Sequence, residues 1–194
     1  ILDYQIGYKK LPMDDPSIVA KFFGKVEKPI SINKIPKKIM KNLPRFAKLG
    51  MAAAIEAMES SFGSEPLKIL DECYSPFERG VIFGTGWGGV DSTIENNDLY
   101  VKTGLASPFS TIYSMHSVLS GSASMMWNLR GYQNTHIAAC ATGNIAIGDA
   151  FELIKNGKAN FMLAGGSESI TGNYNVWSVD ILGALSKEDR KSVV

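Results

Sequence analysis

Asn134-Thr-His-Ile-Ala-Ala-Cys140-Ala-Thr-Gly-Asn-Ile-Ala-Ile-Gly-Asp-Ala150 is the stretch that decides how this chain folds. A short run with strand character, His136 to Ala139, meets a turn of small residues. A helical pattern starts at once, Ala141 to Asn156, and Gly157 stands where a C-cap glycine belongs. Asn160 to Ala164 reads as the next strand, followed by Gly165-Gly-Ser-Glu168. Strand, helix and strand of this length predict a parallel, right-handed βαβ unit in an α/β protein.

Cys140 lies at the join between strand and helix. A thiol there faces unpaired backbone N–H groups and the positive end of the helix dipole, and both favour a thiolate. Ala138, Ala139, Ala141 and Gly143 leave room for a substrate beside the sulfur. From these residues alone, a nucleophile and a buried structural cysteine both stand. A Cys–His pair finds no support. Four residues along one strand put His136 about 13 Å from Cys140, beyond hydrogen-bond reach. His116 could arrive only through the fold, so both histidines read as packing or interface residues.

Upstream, Val81-Ile-Phe-Gly84 reads as a buried strand entering the turn Gly84-Thr-Gly-Trp-Gly-Gly89. This cluster lacks the Gly-Lys-Ser/Thr end of a P-loop and does not complete the dinucleotide fingerprint. A tight turn is preferred to a phosphate cradle. Trp87 either packs there or walls a cavity. Ser117 to Leu129 predicts a helix whose Ser120-Gly-Ser-Ala-Ser124 face is buried. Another helix starts at Pro44, suited to a first turn, and carries Phe46, Leu49, Ala53 and Ala57 at 3.6-residue spacing toward Phe62-Gly63. Tyr4 to Tyr8 and Leu11 to Pro16 read as irregular with a turn. Lys28, Lys34, Lys37, Lys38, Lys41, Arg45 and Lys48 form a run without acids, either a solvated face or a dock for an acidic partner.

With 194 residues and 45% hydrophobic content, the chain can bury one core, or two small ones. A net charge of +1 gives no sign of nucleic acid or an anionic membrane as partner. Cys73 and Cys140 form no disulfide framework and no metal-ligand spacing, which fits a reducing compartment. No signal sequence opens the chain, and no apolar run nears the roughly 18 residues of a bilayer span. The cytosol is expected.

Val81 to Ser186 resembles the β-ketoacyl-acyl-carrier-protein synthases, the condensing enzymes of fatty-acid and polyketide synthesis, and the elongating type above all. The resemblance rests on Ala139-Cys-Ala-Thr-Gly143, Ala146-Ile-Gly148, Ile154-Lys-Asn-Gly-Lys-Ala159, Ala164-Gly-Gly-Ser-Glu168 and Gly183-Ala-Leu-Ser186. It extends to the 84–89 turn, Ser107-Pro-Phe109 and Leu129-Arg-Gly131, in the family's order and spacing. Leu49 to Met58 matches more loosely.

The resemblance implies a thiolase-like fold, two βαβαβαββ halves layered αβαβα, usually as a homodimer or a ketosynthase heterodimer. It implies that Cys140 takes an acyl group from a phosphopantetheine thioester of acyl carrier protein. Decarboxylation of malonyl-carrier protein then gives a carbanion that attacks the acyl-enzyme. The Cys140 N–H is the expected oxyanion donor. Trp87 stands where a smaller aliphatic residue commonly ends the acyl pocket, implying short or unusually shaped acyl groups. Ser110 follows Phe109 where a second aromatic is frequent, and returns room across a dimer interface. Lys38 and Lys41 fall near the carrier-docking positions. No cofactor and no metal are expected.

Residues 1–194 are thus expected to be a partial N-terminal domain, lacking the first strand and a C-terminal half with two catalytic histidines and a lysine. Neither His116 nor His136 lies in a matching motif. The alternative is a non-catalytic fragment or partner subunit, inactive without that half. A third reading is a thiolase or chalcone-synthase relative acting on coenzyme A esters.

Overall fold

The computed structural model describes residues 9–10, 16–24, 26, 30 and 32–185. The expectations for Tyr4 to Tyr8, for most of Leu11 to Pro16, for Lys28 and for the segment from Ser186 onward lie outside these residues. The described residues fall into two compact units, Ile1–Pro29 with Ile170–Val194, and Ile30–Ser169. In the first unit, β1 (Lys9–Lys10) pairs antiparallel with β2 (Phe22–Phe23). There Asp180, closing the helix Asn173–Asp180, accepts the N–H groups of Val19 and Ala20 at 2.6 and 3.0 Å.

The second unit opens with α1 (Lys37–Met40), α2 (Arg45–Phe62) and α3 (Pro66–Cys73). Pro44 is the N-cap of α2 rather than its first-turn residue, and its missing N–H costs nothing there. Gly63 ends α2 at φ 76°. The core stripe of α2 is rotated from the spacing read in the sequence. Phe46, Ala47, Gly50, Met51, Ala54, Ile55 and Met58 are buried, whereas Ala53 and Ala57 face out. Alanine fits either face, so it was a poor guide; the large side chains set the rotation.

β3 (Arg79–Gly84) is followed by α4 (Val90–Thr103), α5 (Ser110–Ser114) and α6 (Val118–Trp127). Then come β4 (Gln133–His136), α7 (Thr142–Lys155) and β5 (Phe161–Gly166). Among the described residues these strands form a parallel sheet in the order β4-β3-β5. The βαβ unit is therefore present, but α7 crosses over β3 before the chain returns as β5. The central strand is buried on both faces, as a continuous apolar run predicts. Val81 and Phe83 join α2 and α6 in the larger core with Phe46, Met51, Leu119 and Trp127. Ile82 points the other way, onto Ala146 and Ala150 of α7.

Small residues allow close approach, as expected for α6: Ser120, Ser122 and Ala123 are buried. The Ser120 hydroxyl accepts the Phe83 N–H at 3.3 Å and donates to the Asn134 carbonyl at 2.9 Å, tying α6 to two strands. Gly157, at φ 68°, ends α7 in a Schellman motif. Its N–H bonds to the Ile154 carbonyl, and that of Lys158 to the Leu153 carbonyl, both at 2.9 Å. The outer side of α7 leaves Ile147, Phe151 and Ile154 exposed. No helix among the described residues is long and apolar enough to cross a membrane.

Candidate active site

The strand expected over His136 to Ala139 ends early. Its ladder stops at His136, paired with Gly84 of β3, and the backbone then leaves the sheet. Ala139 takes φ 47°, a left-handed conformation that costs an L-residue roughly 1–2 kcal/mol. A single turn of 3₁₀ helix, Ala139–Ala141, carries Cys140 into the start of α7. Strain of this kind persists where surrounding contacts over-determine it, and it clusters at functional sites. Cys140 is exposed.

Thr142 supplies much of that over-determination. Its side chain is buried, and its hydroxyl accepts the Ala138 N–H at 2.8 Å and donates to the Ala139 carbonyl at 2.6 Å. One hydroxyl thereby ties the Ile137–Ala138 peptide to the Ala139–Cys140 peptide, across the strained residue. Thr142→Val keeps the shape but removes both bonds and leaves the half-buried Ala138 N–H unpaired. It is expected to cost about 2 kcal/mol in denaturant unfolding, with Thr142→Ser close to the parent.

The ends of all three strands meet here. Gly84 pairs with His136 on one side and Gly166 on the other. The Thr85 N–H donates to the His136 carbonyl at 3.2 Å, and the Ser167 N–H to the Gly84 carbonyl at 3.0 Å. Ligand sites of open parallel sheets lie outside these carboxyl ends. A Cβ on Gly86 would meet the Ala139 Cα at 3.6 Å, so the 84–89 turn lies against the Cys140 elbow. A Cβ on Gly166 would meet the Gly143 Cα at 3.0 Å. The small residues around Cys140 therefore serve backbone contact between segments, a role not visible in the sequence.

The glycine-rich turn is a turn and not a phosphate cradle, because a carboxylate already fills it. Glu168 Oε2 accepts the Gly86 and Trp87 N–H groups at 2.7 and 2.8 Å. Trp87 is half-buried. Glu168 and Thr142 are the residues that sequence reading passed over. Their signal was present in the two quoted motifs, a threonine two residues after the cysteine and an acid just past a strand end.

Both histidines flank this edge of the sheet. His136 Nε2 lies 2.9 Å from Asp149 Oδ2 of α7, and the His116 ring packs against Gly88. Ser110 opens α5 and lines a groove of about 370 Å³ with Thr93, Asn96 and Tyr100, one that includes neither Trp87 nor Cys140. Lys38 and Lys41 are both exposed. The Lys41 ammonium lies 5.3 Å from the centre of the Phe109 ring, and its carbonyl accepts the Tyr113 hydroxyl at 3.1 Å. The basic run is not wholly unpaired, since Lys34 Nζ meets both oxygens of Glu59 at 2.5 and 2.7 Å. A larger groove of about 870 Å³ lies away from this chemistry, between Lys34, Ile55, Leu67 and Trp127.

A family model for the β-ketoacyl synthase N-terminal domain matches residues 25–193. The chain belongs to the β-ketoacyl synthase family. A 3-oxoacyl-[acyl-carrier-protein] synthase 2 of Synechocystis sp. is 29% identical over 151 residues, which are 77% of this chain and 35% of that protein. The crystal structure of a β-ketoacyl synthase from Burkholderia phymatum superposes with TM-score 0.73 at 26% identity, covering 88% of this chain and 41% of that one. The structure of a type II PKS acyl-carrier protein in complex with its ketosynthase bound to the hexaketide shares the fold, with TM-score 0.71 at 20% identity, 90% of this chain and 41% of that chain. The expected α/β, thiolase-like ketosynthase fold is therefore present in part. The chain spans little more than a third of the length of the relatives it matches.

Proposed function

We propose that this protein is the nucleophile-bearing part of a condensing enzyme of fatty-acid or polyketide synthesis. The observation that carries the reading is an exposed cysteine placed directly after a strained alanine whose carbonyl Thr142 holds, at the carboxyl edge of a parallel sheet and the start of a helix. The Cys140 sulfur attacks an acyl thioester, and the phosphopantetheine thiol leaves. The Cys140 N–H stabilises the tetrahedral oxyanion. Loss of carbon dioxide from malonyl-carrier protein gives the carbanion that attacks the acyl group, and the Cys140 thiol leaves in turn. The acyl groups travel on acyl carrier protein, with no further cofactor, in the cytosol.

Trp87 limits the acyl pocket to short or unusually shaped groups, and Ser110 contributes to it from a second copy. Support for a dimer is the outer edge of β4, which pairs with nothing among the described residues. The exposed Ile147, Phe151 and Ile154 support a C-terminal half that covers α7 and brings the acid–base residues of condensation. Residues 1–194 by themselves are then expected to take acyl groups poorly and not to condense them.

The test is intact and peptide mass spectrometry of the protein joined to a C-terminal ketosynthase half. It is incubated separately with acyl-carrier protein and acyl-coenzyme A. An acyl adduct on the Cys140 peptide from the carrier-protein thioester is expected. No adduct, or one from coenzyme A esters alone, overturns the reading. Lys38→Glu with Lys41→Glu is expected to weaken carrier-protein binding about tenfold without slowing Cys140 alkylation; unchanged affinity removes both from the docking surface.

A further inference from the structure

We propose that Glu168 is a positioning residue, its carboxylate setting where the Trp87 turn stands beside Cys140. The proposal rests on the condensing-enzyme reading for its functional consequence, though not for its geometry. Glu168 follows β5 by two residues, and the turn follows β3, more than eighty residues earlier in the chain. One carboxylate oxygen accepts the consecutive N–H groups of Gly86 and Trp87 at 2.7 and 2.8 Å. Those lengths are typical of charge-assisted bonds, and two successive amides aimed at one point form an anion-holding concavity. The other oxygen accepts the Thr85 hydroxyl at 3.3 Å and the Ser169 N–H at 3.2 Å. Thr85 Oγ1 in turn accepts the Gly88 N–H at 3.0 Å. Three successive amides, of Gly86, Trp87 and Gly88, thus end on side-chain oxygens that converge on Glu168.

This turn needs an outside anchor. Four of its six residues, Gly84, Gly86, Gly88 and Gly89, are glycines, whose backbone loses the most freedom on ordering. Gly86 lies against Ala139, so a displaced turn moves both the tryptophan and the surface facing the elbow. If Trp87 sets acyl size, Glu168 sets it through Trp87 without touching the acyl group.

The test compares the parent with Glu168→Ala and Glu168→Gln, each joined to the same C-terminal ketosynthase half. A glutamine oxygen can still accept both amides, so Glu168→Gln is expected to resemble the parent. Hydrogen exchange at the Gly86 and Trp87 amides is expected to be about tenfold faster or more in Glu168→Ala, with α7 amides unchanged. The parent's ratio of butyryl to lauroyl loading on Cys140 from carrier protein is expected to fall about fivefold or more in Glu168→Ala and to be kept by Glu168→Gln. Unchanged exchange overturns the anchoring. Faster exchange with an unchanged loading ratio overturns the control of acyl size. A parent that takes no acyl group from carrier protein instead overturns the condensing-enzyme reading, and the exchange comparison still decides the anchoring.

Discussion

Cys140→Ala is expected to abolish the acyl adduct and to lower any condensation by about 10³-fold or more, because the elbow holds no other thiol. Cys73 is the internal control. It too is exposed, but it closes α3, where backbone carbonyls rather than N–H groups end the helix. Iodoacetamide should therefore modify Cys140 several-fold faster than Cys73 in the parent. In Cys140→Ala the Cys73 adduct should persist while the acyl adduct is lost. Acyl transfer that survives in Cys140→Ala and vanishes in Cys73→Ser would assign the chemistry to the wrong end of the fold and overturn the account of the elbow.

Gly84→Ala is expected to produce a large structural loss where β3 meets α7. A Cβ there would run into the Thr142 methyl and lie 2.8 Å from its carbonyl oxygen. The methyl can be removed by Thr142→Ser, whereas the carbonyl belongs to the first turn of α7 and cannot yield alone. Destabilisation near the upper end of overpacking, about 3 kcal/mol, is expected, and the Gly84→Ala Thr142→Ser pair should recover less than half. Gly148→Ala gives the contrast. Nothing lies within 4 Å of a Cβ at that position in the middle of α7. There the change should add about 0.5–1 kcal/mol by lowering the entropy lost on helix formation. Equal effects of the two alanines in denaturant unfolding would mean that β3 and α7 do not meet as closely as described.

How far the site could be read from residues varied with the kind of signal. The segment from Thr142 to Asn160 was legible because helix period, capping glycine and a following apolar run agree with one another. Its Schellman end at Gly157 follows the local rule without help from the rest of the fold. The α2 stripe held at Phe46 and was misplaced further on, where it rested on Ala53 and Ala57, which carry too little apolar area to choose a side. The strand before Cys140 was placed three residues late, since Ile137 and Ala138 have strand character but have left the ladder. That departure is set by the Thr142 clamp and by Gly86 on Ala139, neither of which shows as periodicity. Glu168 was quoted for its motif and not for its bonds, because its partners lie on another strand.

Local chemistry by itself determined that a cysteine ends a strand-like run and precedes an amphipathic helix, and that a glycine-rich turn follows another strand. Those features depend on neighbours a few residues away, where steric and hydrogen-bond preferences act directly. Only the tertiary structure decided that the two turns share one edge, with β3 between β4 and β5, and that a carboxylate from the third strand end holds the tryptophan turn in place. Parallel pairing joins residues distant in sequence through backbone groups that every residue carries, so side-chain pattern does not encode strand order.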